Sequence, residues 1–382
     1  MSIVRTDRFP EQALPPWRRA VLKVGSSLLA ADGGGLSPRH ALGLAQFVSA
    51  SIAAGREVVI VSSGAVAAGR AIVPKQPEVG AAMAARQALA ALGQARMIGL
   101  WQRFFDRPVA QVLLTHDDLR NRRRYLYARA TLMELLRIGA LPVINENDTV
   151  SVDELKLGDN DNLAAIVAAL VNADVLFIAT DIDGLYTTNP RSDPTAHAVN
   201  EVAAVNIETM AMAGGIGTTM GTGGMRTKLE AASKAAAAGI ETILFNGTDA
   251  EVLRLLVQDR MRGTRLHAGQ TRVAARKHWL RHVPPVPGAI IVDAGAARAL
   301  TSNGASLLPG GISSAAGEFA RGDMVDIRCD DEGAGRVVAR GVTQYSAVDV
   351  RRVARRQSRD IDAILGYNYG ENIVHRDDMV VL

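Results

Sequence analysis

The stretch NLAAIVAALVNADVLFIAT, residues 162–180, decides the fold. Its first part is rich in Ala and Leu and predicts a helix at 162–172, whereas the β-branched run at 175–180 predicts a buried strand. Asn172 and Asp174 interrupt the apolar tract, so a helix, a turn and a strand explain it better than a membrane span does. A buried strand that follows an apolar helix this closely is typical of a parallel sheet covered by helices.

The same alternation of short β-branched runs and longer helical stretches extends from residue 20 to about residue 245. Strands are predicted at 20–24, 57–61, 109–114, 141–145, 175–180 and 242–245. Helices are predicted at 38–54, 81–105, 125–138, 162–172 and 225–238. We therefore predict an α/β fold with an open, mostly parallel sheet sandwiched by helices.

The pattern changes after residue 245. Residues 272–281 are basic and polar, and Pro284, Pro285 and Pro287 stiffen the chain, as expected of a linker. The runs 289–292, 324–329 and 337–342 are short and separated by glycines, which predicts a small β-rich domain. We expect an N-terminal extension at 1–17, the α/β domain at 18–263, a linker at 264–287 and the β-rich domain with the C-terminal tail at 288–382.

Composition excludes several classes of function. The 382-residue chain has 43 basic and 39 acidic residues, and a formal charge of only +4 gives no electrostatic case for a nucleic-acid or membrane partner. The single cysteine, Cys329, cannot form an internal disulfide and fits a reducing compartment. Residues 1–17 lack the apolar run of a signal peptide, so a cytoplasmic location is expected.

Polar residues follow the first two predicted strands. The first strand ends in KVGSS, residues 23–27, where Lys23 and backbone N–H groups can meet phosphate oxygens; an ordinary lysine at a strand end is the alternative. The second continues into SSGA, residues 62–65, where Ser63 either clamps a substrate carboxylate or lies in a tight turn. Ser63 has no obvious histidine partner in the sequence, which disfavours a serine nucleophile.

Two acid-and-amide segments are more specific. NEND, residues 145–148, follows a buried strand, and GDNDN, residues 158–162, precedes an apolar helix. Such a group can hold the ammonium of an amino acid or metal-bound phosphate, and without His or Cys it fits Mg²⁺ rather than zinc. Asp161 or Asn162 could alternatively be a helix N-cap, which would account for only one residue of the group.

Two later segments fit a nucleotide. The strand at 175–180 ends in Thr180 and Asp181, which can meet ribose, adenine or a Mg²⁺ shell, although the following Asp-Gly pair is also typical of a turn. Glycines between 214 and 224 lead into Met225 and a helix that contains Lys228. A glycine-rich loop that opens a helix lets backbone donors approach polyphosphate, and an ordinary solvent-exposed loop is the alternative. Two lysines with an acidic cluster between them indicate phosphoryl transfer.

These segments together resemble the amino-acid-kinase family. The resemblance is carried by VLKVGSSLL (21–29), VIVSSGAVAAGR (59–70), PVINENDTV (142–150), KLGDNDNLAA (156–165), TDIDGLYTTNPR (180–191) and GTGGMRTKL (221–229). Within that family, NENDTV and GDNDNL are similar to the members that phosphorylate glutamate. LLPGGI (307–312), RGDMVDI (321–327), ARG (339–341) and IDAILGY (361–367) resemble the PUA module that bacterial members append to the kinase domain.

The resemblance implies ATP-dependent phosphorylation of the γ-carboxylate of L-glutamate, the first step of proline biosynthesis. It implies Mg²⁺ held with ATP, with no direct protein ligand predicted, feedback inhibition by proline, and a homo-oligomer that is a dimer or a tetramer. Ser26 stands where relatives often have Thr, and both residues carry a hydroxyl.

The resemblance also implies three groups of site residues. The implied catalytic residues are Lys23, Lys228 and Asp161. The implied glutamate-binding residues are Ser63, Asp148 and Asn160. The implied ATP-binding residues are Lys23, Thr180, Asp181, Thr222, Gly223, Gly224, Met225, Arg226, Thr227 and Lys228.

Glutamate's γ-carboxylate is ionised at neutral pH, so the nucleophile needs no general base, and the lysines and Mg²⁺ are expected to stabilise charge on the phosphoryl group. Asp161 is expected to hold both lysines, and Asn at this position is expected to lower kcat strongly without a new pH dependence.

Another kinase of this family, acting on acetylglutamate, aspartate or UMP, is one alternative. RNA binding through the PUA-like module is the other, and the nearly balanced charge and few aromatic residues do not favour it.

Overall fold

Ten strands form one sheet in the N-terminal part of the computed structural model, which describes residues 4–6, 8–30, 35–73, 83–150, 160–213, 224–269, 271, 285, 287–330 and 335–382. The chain divides into two units, Met1–Arg272 and Val273–Leu382. Among the described residues, none of the helices combines the length and the apolar character that crossing a membrane requires.

The first unit is a parallel sheet with antiparallel additions at one side. Its strands are β1 (Val4–Thr6), β2 (Gln12–Ala13), β3 (Arg19–Val24), β4 (Glu57–Ser62), β5 (Val109–Leu114), β6 (Leu141–Glu146), β7 (Val175–Thr180), β8 (Leu185–Tyr186), β9 (Ala198–Val202), β10 (Glu241–Asn246), β11 (Arg260–Met261) and β12 (Thr264–Leu266). The order across the large sheet is β1-β9-β12-β10-β7-β3-β4-β6-β5, with β8 paired to β9. The strands from β10 to β5 in that order are parallel, as predicted.

Helices cover both faces of this sheet. They are α1 (Ser26–Leu29), α2 (Pro38–Ala53), α3 (Ala65–Arg70), α4 (Met83–Gln102), α5 (His116–Arg120), α6 (Arg122–Arg137), α7 (Asn160–Leu170), α8 (Ile207–Met212), α9 (Met225–Ala237) and α10 (Ala250–Val257). Successive side chains of β3 point to opposite faces, so Val21 enters the core under α6, α7 and α9, and Leu22 enters the core under α2, α4 and α10. Helix α7 and strand β7, which make up most of residues 162–180, are mostly buried, which explains their nearly continuous apolar sequence.

Two glycines allow α3 and α4 to touch through their backbones. A Cβ atom on Gly93 would lie 1.8 Å from the carbonyl oxygen of Ala65, and one on Gly69 would lie 1.8 Å from that of Leu89. Any larger residue at either position would force the two helices apart. This contact holds α4 close to the end of β4, where α3 begins.

Both ends of the first unit differ from the expected boundaries. The segment expected as an extension contributes β1 and β2, which pair with β9 and β11, and Trp17 is buried against Phe47 and Phe177. The linker expected at 264–287 starts too early, because Thr264–Leu266 is strand β12 between β9 and β10. Such short strands depend on distant partners rather than on their own sequence.

The second unit is β-rich, as predicted. Its sheet has the order β14-β13-β15-β16-β17, with β13 (Gly288–Val292), β14 (Ile312–Gly317), β15 (Met324–Cys329), β16 (Arg336–Thr343) and β17 (Val374–Val381). Its helices are α11 (Ala294–Asn303), α12 (Ala347–Val353) and α13 (Ile361–Leu365), with 3₁₀ turns at Pro309–Gly311 and Ser358–Asp360. Cys329 is buried in the core of this unit.

Candidate active site

The carboxyl ends of four adjacent parallel strands lie side by side and carry polar residues. The last residues of these strands are Thr180 in β7, Val24 in β3, Ser62 in β4 and Glu146 in β6. Backbone pairing keeps the ends level, because Val24 pairs with Ala179 on one side and with Ser62 on the other. Ligands of open α/β sheets bind at this edge.

Asp161 joins two lysines that come from different elements. Its Oδ1 lies 2.6 Å from Nζ of Lys23 near the end of β3, and its Oδ2 lies 3.2 Å from Nζ of Lys228 in the first turn of α9. The hydroxyl of Thr227 donates to the same Oδ2 at 2.8 Å. Asp161 is 1% exposed, Lys23 5% and Lys228 7%. Two buried ammonium groups therefore face one buried carboxylate, and together these three groups carry an excess positive charge.

The electrostatics of this centre keep the carboxylate ionised. Burial acts to raise the pKa of Asp161, but Lys23, Lys228 and the Thr227 hydroxyl outweigh burial and lower it. Burial lowers the pKa of Lys228; Asp161 opposes this effect, and Lys23 adds to it. Asp161 is thus a poor proton acceptor at neutral pH and is suited to holding the two lysines in place.

A chain of side-chain amides runs beside this centre. Asn145 donates from Nδ2 to Oε1 of Gln94 at 2.9 Å, and its Oδ1 accepts from Nδ2 of Asn160 at 3.0 Å. The Asn160 amide also donates to the hydroxyl of Ser63 at 2.8 Å. Within the described part of the chain, Oδ1 of Asn160 is buried and has no hydrogen-bond partner. A buried acceptor of this kind is available to a donor on a ligand.

A pocket of about 270 Å³ lies between α4 and the ends of β5 and β6. It is lined by Ala90, Ala91, Gln94, Ala95, Gln111, Leu113, Glu146, Asn147, Asp148 and Thr149. Burial and the nearby Glu146 raise the pKa of Asp148 to about 6, and Arg86 acts in the opposite direction. A buried carboxyl group beside a second acid favours a cationic ligand group.

The other flank of the centre lies at the ends of β7 and β10. The hydroxyl of Thr180 donates to Oδ1 of Asp181 at 3.3 Å, and a guanidinium nitrogen of Arg191 lies 3.8 Å from Oδ2 of Asp181. Asp181 also raises the pKa of Lys228, as a carboxylate near that lysine does. Gly224 precedes α9 and provides no side-chain cap, so the first N–H groups of this 13-residue helix are not satisfied by a capping side chain.

The structure brings most of the predicted site residues together. Asn160 and Ser63 meet directly, Asp161 meets both lysines, and Thr180 and Asp181 follow the neighbouring strand. Met225 and Arg226 lie in the first turn of α9, and Arg226 pairs with Glu230 at 3.0 Å. Thr222 and Gly223 of the predicted ATP site lie outside the described residues, as do Gly158 and Asp159 of the acid-and-amide loop.

The alternative interpretation of Asp161 and Asn162 as N-caps is wrong. Helix α7 begins at Asn160, so both residues lie inside its first turn. Nζ of Lys234 donates to Oδ1 of Asn162 at 2.5 Å, which links α7 to α9. Sequence reasoning did not single out Gln94, because α4 carries other polar residues, including Gln87 and Gln102, and nothing in the sequence distinguishes Gln94 from them.

Among the described residues, no cluster of three or more His, Cys, Asp or Glu side chains is arranged to hold a metal ion. Mg²⁺ commonly binds to one or two carboxylates while substrate phosphates and water supply its other ligands. The side chain of Asp181 is 52% exposed beside the lysine pair. A metal ion that is carried mainly by phosphate oxygens and water could contact this carboxylate.

An open parallel sheet with a buried lysine pair at its strand ends defines an α/β enzyme that acts on anionic substrates. The amino acid kinase family matches this chain at residues 18–246, and the PUA domain matches it at residues 288–365. The chain belongs to the amino acid kinase family, and its curated relatives there include glutamate 5-kinases. The family and fold class inferred from the sequence are thereby confirmed.

The relatives match along nearly the whole chain. Glutamate 5-kinase of Xanthomonas campestris pv. campestris (strain 8004) is 76% identical over 362 residues, which cover 95% of this chain and 100% of that protein. Glutamate 5-kinase of Xylella fastidiosa (strain M12) is 71% identical over 377 residues, 98% of each chain. A solved structure of UMP kinase from Bacillus anthracis aligns at 17% identity and a TM-score of 0.47, covering 67% of this chain and 98% of that chain.

Proposed function

We propose that this protein transfers the γ-phosphoryl group of ATP to the γ-carboxylate of L-glutamate, the first step of proline biosynthesis. The observation that carries the proposal is the buried bridge from Asp161 to Lys23 and Lys228, at distances of 2.6 Å and 3.2 Å. A reaction between two anions needs fixed positive charge where the phosphoryl group moves, and this bridge supplies it. The high identity to proteins named glutamate 5-kinase supports the same function.

The acceptor binds, in this proposal, on the side of β4 and β6. Ser63 and Asn160 are joined by a hydrogen bond of 2.8 Å, and the free Oδ1 of Asn160 can accept from the substrate's ammonium group. Asp148 adds a carboxylate for the same ammonium, and burial together with Glu146 makes its pocket attractive to a cation. These residues recognise an amino acid and leave its distal carboxylate free to reach Lys23.

The nucleotide binds, in this proposal, on the side of β7 and α9. Thr180 and Asp181 contact the nucleoside or the Mg²⁺ shell. The segment 222–228 contacts the phosphates, with backbone N–H groups at the start of α9 and with the ammonium of Lys228. Thr227 donates to Asp161 at 2.8 Å, so the first turn of α9 lies against the lysine pair, which supports this proposal.

The proposed mechanism depends on positioning and charge. The acceptor carboxylate is already ionised at neutral pH, so no residue needs to remove a proton from it. Lys23 and Lys228 hold the transferring phosphoryl oxygens and stabilise the charge that develops on them. Asp161 fixes the directions of both ammonium groups. Bound with ATP, Mg²⁺ supplies further neutralisation of phosphate charge.

We further propose a cytoplasmic location, inhibition by proline and a homo-oligomer. Support for these properties comes from resemblance to the family. Proline keeps the α-carboxylate and a cationic nitrogen, which are the groups that the acceptor pocket is proposed to recognise.

ATP-dependent formation of an acyl-hydroxamate from L-glutamate, with Mg²⁺ and hydroxylamine, tests the proposed function. We expect product from L-glutamate and less product when proline is added. Aspartate and acetylglutamate serve as comparison substrates under the same conditions, and turnover of UMP is measured by ADP release because its phosphorylation forms no acyl phosphate. Turnover of one of these without turnover of L-glutamate would overturn the choice of substrate.

A further inference from the structure

Gln94 has one end of its amide engaged and the other end unpaired. It lies on α4 in the wall of the 270 Å³ pocket, and its Oε1 accepts from Asn145 at 2.9 Å. Among the described residues, its Nε2 is buried without a hydrogen-bond partner. Buried donors without partners are rare in folded proteins, because such a donor has lost its hydrogen bonds to water. A ligand that presents an acceptor to this wall would supply the missing partner.

The identity of the free atom follows from the amide chain. The carbonyl oxygen of Ser62 can only accept, so the Asn160 atom that lies 3.4 Å from it is the donor Nδ2. That donor also faces Asn145 at 3.0 Å, so the facing atom of Asn145 is Oδ1 and its remaining atom is the donor Nδ2. The Asn145 donor then requires Oε1 of Gln94, and the free atom of Gln94 is its N–H donor.

The pocket combines this donor with acids. Glu146 and Asp148 line the same pocket as Gln94. The pocket volume of 270 Å³ is near the lower end of the range of small-molecule sites, as suits a small ligand. The head group of an α-amino acid carries an ammonium group and a carboxylate. The two acids of the pocket can attract the ammonium group, and the amide N–H of Gln94 can donate to the carboxylate.

We infer that Gln94 determines specificity for the α-amino acid head group: its Nε2 donates to the α-carboxylate of the acceptor, while its Oε1 holds Asn145 and, through it, Asn160. The inference rests on the proposed function and deepens it. The α-carboxylate does not change in charge or position during transfer, so the contact with Gln94 is equally strong before and during the reaction and its loss acts on KM more than on kcat.

The test uses Gln94→Glu, which keeps an oxygen for Asn145 but places a carboxylate against the substrate's carboxylate. KM for L-glutamate should rise about 10- to 100-fold, the loss expected for a hydrogen bond to a charged group, with a smaller change in kcat. The same variant is also tested with 4-aminobutyrate as an inhibitor that competes with L-glutamate. This molecule has the reacting carboxylate and the amino group but lacks the α-carboxylate. Its inhibition constant against L-glutamate should stay near the wild-type value.

Gln102→Glu is the matched control, because it makes the same charge change at an exposed position on the same helix. It should leave both constants unchanged. Equal losses for L-glutamate and 4-aminobutyrate in Gln94→Glu, or an unchanged KM for L-glutamate, would overturn the inference. If Gln94→Glu fails to fold, Gln94→Met is measured in the same way. Failure of the wild-type protein to use L-glutamate would instead overturn the proposed function.

Discussion

Replacing Asp161 with Asn removes the carboxylate that Lys23 and Lys228 share, while the shape of the side chain is kept. The two ammonium nitrogens lie 2.6 Å and 3.2 Å from its oxygens, and Asp161 is 1% exposed. The lysines would lose the group that sets their directions toward the phosphoryl oxygens. We expect kcat to fall about 100- to 1,000-fold, the range for losing one preorganised electrostatic contact in an active site.

The same change should affect stability and nucleotide binding in opposite directions. Breaking a buried ion pair by removing one partner costs about 3–5 kcal/mol. In a domain of this size each kcal/mol shifts the melting temperature by about 2–4 °C, so a decrease of about 10 °C is expected in the absence of ligand. ATP supplies negative charge to the two lysines, so Mg-ATP should raise the melting temperature of the variant more than that of the wild type.

The surroundings of Lys228 favour a pH dependence of this variant, in contrast to the unchanged profile expected from the sequence. Burial lowers the pKa of Lys228, and Asp161 is the main group that opposes this effect. Without Asp161 the pKa of Lys228 falls further, so its positive charge is lost at a lower pH than in the wild type. The rate of the variant should therefore decrease as the pH rises, in a range where the wild-type rate is still constant.

The assay is acyl-hydroxamate formation at saturating Mg-ATP, measured across the pH range in which lysine titrates, together with thermal unfolding. Asp117→Asn, an exposed position in α5, is the control and should behave as the wild type in both measurements. An Asp161→Asn variant with wild-type kcat and a wild-type pH profile would refute the role given to this carboxylate.

Three further predictions concern charge and packing. Lys228→Met should lower turnover at saturating Mg-ATP about 100-fold or more, because it removes a preorganised positive charge, and wild-type turnover would contradict this. KM for L-glutamate should rise as the pH falls through about 6, where Asp148 becomes protonated and no longer attracts an ammonium group. Asp148→Asn should abolish this dependence, and its persistence would assign it to another group. Gly93→Ala should destabilise the protein in urea by about 1–3 kcal/mol or more, since its Cβ would lie 1.8 Å from the oxygen of Ala65. Gly99→Ala in the same helix meets open space and should stabilise by about 0.5–1 kcal/mol.

The central sheet could be predicted from sequence because its strands are buried on both faces. Strands β5 and β7 have the predicted bounds, β3, β4 and β6 differ by one residue at one end, and β10 is one residue longer at each end. Short strands such as β1 and β12 could not be predicted, because they are defined by partners far away in the chain, as in the pairing of Val4 with Glu201. Helix α6 begins before residue 125 because the Asn121 side chain caps it by accepting from the N–H of Arg124.

The residue types of the candidate site, their positions at strand ends and the contact of Asp161 with both lysines could be predicted, but its other contacts could not. Polar residues at the ends of parallel strands converge by a general rule, which places Lys23 and Ser63 at one edge. The contact between Gln94 and Asn145 joins residues 51 positions apart, and that between Thr227 and Asp161 joins residues 66 positions apart. Neither spacing has a sequence signature, since the pairs meet only when α4 and α9 pack on the sheet.

The position of β3 between β4 and β7 separates the two kinds of recognition in space. Residues proposed to bind the acceptor lie on the flank of β4 and β6, and residues proposed to bind the nucleotide lie on the flank of β7 and α9. Mutations without shared contacts usually act independently beyond about 7–10 Å. Substitutions on the flank of β4 and β6 can therefore change which acceptor is bound. The nucleotide site and the two lysines beside β3 need not change with them.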